Sequence, residues 1–352
     1  VALIGPVFGT MADMKNFKKP IFTISMMVGV LGCAALSFPT SWVVFLAVFV
    51  IAKVGFSTSL IFYDSMLSDV TKPGRMDEVS SHGYAWGYIG SCVPFLISLG
   101  IVLGNEALGI SMTVAMGISF FLNAAWWLVL TLPLLRNYNQ THYSPKREHA
   151  ILDTFVTLCR TFREIKSQKH IFLFLLAFFF FIDGVYTIID MATAFGSALG
   201  FDSTMLLLAL LLTQVVAFPF ALIFGKAAKK YRNDTLIKIC IVAYTAIALF
   251  AIQLDRVWEF WLLAGCVGMF QGGIQALSRS YFAKIIPPEK AGEYFGLFDI
   301  CGKGASFMGT ALVGLFTQMT GSTNWGISIL ALIFVIGLVL FHYAAKENPA
   351  RK

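Results

Sequence analysis

The chain has 352 residues, 58% of them hydrophobic and 13% charged, with 34 Phe and a formal net charge of +7. A soluble domain is nearer half apolar and one quarter charged, so these proportions exclude an ordinary soluble globule and point to an all-α polytopic membrane protein. The positive balance is no sign of nucleic-acid binding, because in a membrane chain the placement of Lys and Arg carries the information.

Taken in order, the first apolar run, Val1 to Ala12, is too short to cross a bilayer, which needs about 20 residues. It nevertheless ends in a membrane-exit pattern. The expectation is that the sequence begins inside a span, with a first helix and part of a second lying upstream. Full spans are predicted at roughly 20–38, 42–67, 82–104, 109–135, 171–199, 203–225, 236–254, 257–283, 292–319 and 324–345. The alternate loops 11–20, 68–82, 136–170, 226–238 and 279–290, with the tail 346–352, hold 23 of the 26 Lys and Arg. By the positive-inside rule they are the cytoplasmic side. The short loops suit a multi-pass protein of a bacterial inner membrane.

Three parts follow: an incomplete N-terminal bundle over 1–135, a cytoplasmic linker over 136–170, and a C-terminal bundle over 171–352. Within the linker, Ile151, Leu152, Phe155, Leu158, Phe162 and Ile165 have helical apolar spacing beside Arg160, Arg163 and Lys166. That pattern fits either a helix lying on the membrane surface or a solvated linker. The two bundles echo each other. Gly9 to Asp13 and the lysines after it match Gly225 to Lys229 at an offset of 216 residues (225 less 9). A turn at Lys72–Arg75 leads to Gly83-x-x-x-Gly87, and one at Pro287–Lys290 leads to Gly292-x-x-x-Gly296, the glycines being offset by 209 (292 less 83). Two related halves joined by a long cytoplasmic loop are a common transporter arrangement.

The stretch Gly9-Thr-Met-Ala-Asp13, followed by Lys15, Lys18 and Lys19, resembles the signature loop of the major facilitator superfamily between its second and third helices. Met14 stands where that loop has a basic residue, and Asn16 where it has a turn Gly; Asn is the next residue able to take a left-handed backbone. Phe181-Ile-Asp183-Gly-Val-Tyr-Thr187 and Gln271-Gly-Gly-Ile-Gln275-Ala-Leu-Ser-Arg279-Ser280 are similar to the branch of autophagy-related vacuolar amino-acid effluxers and their bacterial relatives. The resemblance implies two six-helix bundles with pseudo-two-fold symmetry, secondary transport by alternating access, an amino-acid-like solute and efflux. It also implies a cytoplasmic gate in which Gly9, Asp13, Lys18, Lys19 and Arg279 take part, Asp13 accepting hydrogen bonds from a helix N-terminus.

Ionisable residues inside a span are costly and mark pathways or sites. Asp183 falls near the middle of its span, with Asp190 seven residues on, and is the candidate proton or substrate site; a neutral, hydrogen-bonded Asp is the structural alternative. Asp299 and Lys303 are spaced to neutralise each other on one helix, or to form a pair that solute or proton can open. Lys53 lies at matching depth to Asp183, a candidate partner on depth alone. Gln271 and Gln275, with Tyr63, Tyr84, Trp86, Tyr88 and Tyr186, are candidates to line a polar path. At most two of Tyr84, Trp86 and Tyr88 can face one cavity. Arg279 is read either as a gate contact or as a snorkelling side chain.

The six Cys form no C-x-x-C pair, and the five His have no ligand spacing, so no metal is expected. No phosphate-binding loop, zinc-protease motif or dinucleotide fingerprint occurs, so neither a cofactor nor an enzyme is expected. The partners expected are a small polar solute, the lipid bilayer and H+ as coupling ion, with the chain a monomer. The alternative is a transporter-shaped sensor or scaffold.

Overall fold

The computed structural model describes residues 4–38, 41–145 and 163–348. The linker segment 151–162, with most of the amphipathic pattern, lies outside the described residues. Ten described helices are long and apolar enough to cross a membrane. They follow a short α1 (Ile4–Ala12) and are α2 (Lys18–Ala35), α3 (Trp42–Ser65) extended by α4 (Leu67–Val70), α5 (Met76–Leu103), α6 (Met112–Asn137), α7 (Lys169–Ala198), α8 (Ser203–Ala227), α9 (Asn233–Phe250), α10 (Val257–Ile285), α11 (Ala291–Thr320) and α12 (Thr323–Glu347).

Helix ends are set by local chemistry. Ser41 Oγ accepts from the Val44 N–H and Ser111 Oγ from the Val114 N–H, each satisfying an amide the helix cannot pair itself. The Asp202 carboxylate does the same for Thr204 and Met205. Pro94, Pro133 and Pro219 sit inside spans, which membrane helices tolerate where neighbours satisfy the freed carbonyls. Asn16 has φ 66°, the left-handed turn expected of it. The main departure from the predicted spans is α5, which begins at Met76 rather than at 82. Its polar first turns, with Asp77, Ser80 and Ser81 buried, look like loop to hydropathy because their partners are protein groups rather than lipid.

Close contacts divide the chain into two compact units. One comprises Val1–Val70, Gly90–Leu158 and Pro287–Gly296; the other comprises Thr71–Ile89, Cys159–Ile286 and Leu297–Lys352. The start of α11 therefore packs with first-half helices, and the start of α5 with second-half helices. In the first unit, α2 and α3 cross where a Cβ on Gly55 would fall 2.5 Å from the Gly29 N, the close backbone approach that small residues permit in lipid. Phe22, Met26, Val30 and Phe62 fill the space beside that crossing. In the second unit, a Cβ on Gly268 would lie 2.7 Å from Thr213 O on α8, and one on Gly337 would lie 2.9 Å from the Phe181 N on α7. Phe174, Phe178, Phe282 and Phe298 stack together. Phe178 and Phe181 are thus core, whereas Phe179 and Phe180 are only half-buried.

Candidate functional site

Three polar clusters stand out. The first lies in the first unit, around the loop after α1. Asp13 is buried, and its carboxylate accepts from the Gly292 N–H (2.7 Å) and the Glu293 N–H (2.9 Å). These are the second and third residues of α11, so Asp13 caps a helix distant in sequence, where unpaired amides and the helix dipole favour a carboxylate. A Cβ on Gly9 would come 2.3 Å from Gly292 O; glycine is required for that approach. Lys18 is fully buried, with its ammonium 3.8 Å from Asp13 and 3.2 Å from Asp69. Lys19 is half-buried beside Asn16 and Tyr138, and does not join this cluster.

The Asp69 carboxylate accepts from Lys18, Tyr138 Oη (2.6 Å), the Thr141 hydroxyl (3.1 Å) and the His142 N–H (2.8 Å). The segment after α6 then reaches the gate loop, with the Ser144 N–H donating to Asp13 O at 2.7 Å. Breaking a buried ion pair leaves an uncompensated charge, a loss of about 3–5 kcal/mol. Asp69→Ala is therefore expected to destabilise the detergent-solubilised protein on that scale, seen as a large fall in unfolding temperature. An unchanged temperature would show that Lys18 reaches water.

Burial pushes the Asp13 carboxyl up to about 7, against the opposing pull of Lys18 and of the Glu293 and Gly292 amides; the Glu293 carboxylate adds to the rise. The buried arrangement therefore binds a proton more tightly than an exposed carboxyl does. It is most stable below an ordinary carboxyl pKa of about 4, weakens as pH rises from there to about 7, and is constant above. Hydrogen exchange at the Gly292 and Glu293 amides, corrected for intrinsic rate, should be slower at pH 5 than at pH 8 in the wild type. In Asp13→Asn the difference should vanish.

The second cluster lies in the second unit, at the other end of the repeat. Arg279 is buried: its guanidinium donates to Ser80 Oγ (2.9 Å) and Ser80 O (3.0 Å) and lies 4.6 Å from the Tyr84 ring centroid. The snorkelling alternative is overturned, because Ser80 and the Tyr84 face take the charge that water would otherwise solvate. Asp77 accepts from Ser280 Oγ (2.6 Å), Asn233 Nδ2 and Lys284 Nζ. At the surface, Lys229 Nζ donates to Glu78 Oε1 at 2.9 Å.

These two clusters are related by the repeat. The single-turn helices Pro73–Arg75 and Pro288–Lys290 are offset by 215 residues (288 less 73). The same offset pairs Asp77 with Gly292 and Glu78 with Glu293. Gly9 lies against Gly292 O, and Gly225 against the Ser81 side chain with Asp77 O 3.9 Å from its added Cβ; Asp13 accepts from the Glu293 N–H, and Lys229 donates to Glu78. The offset of 209 that aligns Gly83 and Gly87 with Gly292 and Gly296 is thus corrected; Gly87 has nothing within 4 Å of an added Cβ. Where the first copy uses an acid on backbone amides, the second uses a base on a side chain.

The third cluster is Asp183, fully buried on α7. Its Oδ1 accepts from the Gly309 N–H (2.9 Å) and the Thr187 hydroxyl (3.4 Å), while Oδ2 has no hydrogen-bond partner. Gly309 lies inside α11, so an amide within a helix is turned to a carboxylate. A Cβ there would fall 2.3 Å from Thr187 Oγ1 and 2.5 Å from Asp183 Oδ1. Asp183 is therefore held by the α11 backbone, and in the first unit Lys53 lies 5.6 Å from the Phe56 ring centroid on an exposed helix face. Asp299 and Lys303 pair within α11 at 2.5 Å. Asp190, two turns further along α7, is exposed. Gln271 is buried and Gln275 accepts from Tyr88 Oη at 3.1 Å. Tyr84 and Tyr88 share a face, their ring centroids 6.0 Å apart, whereas Trp86 is 65% exposed. Among the described residues no His, Cys, Asp and Glu cluster could hold a metal.

A family model described as vacuole effluxer Atg22 like matches residues 68–352. The chain is 42% identical over 352 residues to the MFS-type transporter YxiO of Bacillus subtilis, covering 99% of this chain and 82% of that one. It is 26% identical over 321 residues to autophagy-related protein 22 of Saccharomyces cerevisiae, covering 80% of this chain and 60% of that one. It is 28% identical over 293 residues to the Coccidioides immitis protein of that name, covering 74% of this chain and 47% of that one. The chain thus spans about half the length of such fungal relatives. In structure it is similar to the E. coli fucose:proton symporter FucP, with TM-score 0.74 and 14% identity over 97% of this chain and 87% of that one. That likeness shows the fold, that of the major facilitator superfamily.

Proposed function

The chain belongs to the Atg22-like family of major facilitator transporters, and from that membership we propose that it moves a small polar solute by proton-coupled alternating access. The observation that carries the coupling is Asp183: a fully buried carboxyl, one oxygen on the Gly309 amide and the other without a hydrogen-bond partner. A carboxyl so placed in low dielectric can hold a proton in one state of a cycle and release it in another. The clusters at Asp13 and Arg279 support a two-part gate at the cytoplasmic ends of the helices, repeated once in each half with the charge reversed. Lys18 belongs to that gate; the half-buried Lys19 does not. The membrane is a bacterial inner membrane, and the working unit is a monomer. Efflux is favoured by the effluxer description of the family, and an amino-acid-like solute by the resemblance of the Phe181–Thr187 and Gln271–Ser280 stretches to the amino-acid effluxer branch.

Counterflow in proteoliposomes tests this reading. Vesicles preloaded with a mixture of unlabelled amino acids should accumulate at least one labelled amino acid above the level of protein-free vesicles. Absence of counterflow for every amino acid and for other small polar solutes would sink it.

A further inference from the structure

A cavity of about 90 Å³ lies in the second unit, lined by residues of α7, α8, α9, α10 and α12. Its walls are almost wholly apolar, with Ala209, Phe260, Val267 and Leu330 among them. Gln271 is among the few polar lining residues. This side chain is 4% exposed and its Oε1 has no hydrogen-bond partner.

The hydrogen-bond chain fixes which end of the amide is left over. Tyr88 Oη donates to Gln275 Oε1 at 3.1 Å, so it accepts from the Gln271 side chain that bonds it. Gln271 must then turn its NH₂ to Tyr88, and its oxygen is the atom left without a donor. Two of the lining hydroxyls are committed: Thr213 donates to Ala209 O and Ala264 O, and Thr187 donates to Asp183; Thr193 and Gln214 also line the cavity. The exposed lining is overwhelmingly apolar, and apolar cavities of about 150 Å³ take up small apolar molecules. A buried acceptor without a donor is also costly. A molecule with a short alkyl group and one O–H answers both.

We propose that this cavity is a binding site for a short-chain alkanol or a molecule ending in such a group, with its hydroxyl donating to Gln271 Oε1 and its alkyl part among the walls. Binding there does not depend on the transport reading. Because Thr187 both lines the cavity and holds Asp183, an occupant sits one side chain from the candidate coupling group.

The test is photolabelling of the full chain in nanodiscs with a four-carbon diazirine alcohol, and with the matched diazirine alkane, mapped by mass spectrometry. The alcohol should label peptides spanning 187–195 and 206–214, excess n-butanol should protect them, and the alkane should label them about tenfold less. Gln271→Leu should remove the difference between the two probes. Ala264→Leu, at a half-buried wall position, should suppress labelling by both. Labelling spread over the membrane-facing surface without protection by butanol would overturn the proposal. So would equal labelling of these peptides by alcohol and alkane in the wild type, a result that needs no variant to fold.

Discussion

Replacing Asp183 by Asn is expected to lower proton-driven solute flux about 100-fold, the scale on which loss of a proton-transferring group is felt, while leaving the fold intact. The substitution keeps the shape, and an amide oxygen can still accept from the Gly309 N–H, now 2.9 Å from Oδ1. What is lost is the ability to gain and release a proton. Solute exchange without net proton movement should survive, because the geometry that holds α11 survives. Thr187→Val is the matched control: it removes only the longer, 3.4 Å bond and should change flux by no more than about threefold, a net hydrogen bond contributing roughly 1 kcal/mol or less. Equal loss in both variants would mean that Asp183 is there to pack.

Gly9→Val should be as damaging, through contact rather than charge. A Cβ at Gly9 would lie 2.3 Å from Gly292 O, 2.8 Å from Gly292 C and 3.2 Å from Glu293 Cα. All three are backbone atoms of α11, which cannot rotate away as a side chain could. The helix must move, and Asp13 then loses the two amides it caps. A displacement of about 1 Å can cost some 100-fold where geometry sets a rate. Transport should fall on that scale, with faster hydrogen exchange at Gly292 and Glu293. Gly90→Val, with nothing within 4 Å of its added Cβ, should be close to wild type. Normal transport by Gly9→Val would remove the contact between α1 and α11 from the cycle.

The span pattern was legible because an apolar run of bilayer length and the siting of Lys and Arg are properties of the chain itself. The left-handed turn at Asn16 was legible for the same local reason. Asp183 stood out as a charge in an apolar run. Its partner did not, because Gly309 offers a backbone amide, which no residue type advertises. Arg279 illustrates the limit from another side. Hydropathy places it near a helix end, where a snorkelling side chain is the usual case. Its burial depends on Ser80, 199 residues away in sequence, and on Tyr84. Asp69 likewise draws its donors from Lys18 and from the segment after α6, which charge spacing alone does not bring together. The repeat is legible in the sequence, but its Gly-x-x-x-Gly pattern gives a second offset six residues short of the 215 that relates the proline turns.

The central claim is that solute movement is tied to protons through this fold. The most direct measurement is solute flux in proteoliposomes under imposed pH gradients of opposite sign, with the membrane potential clamped. Net flux should follow the gradient, reverse when the gradient reverses, and lose that dependence in Asp183→Asn. Flux of the same size and direction under both gradients, unchanged by the substitution, would contradict the claim.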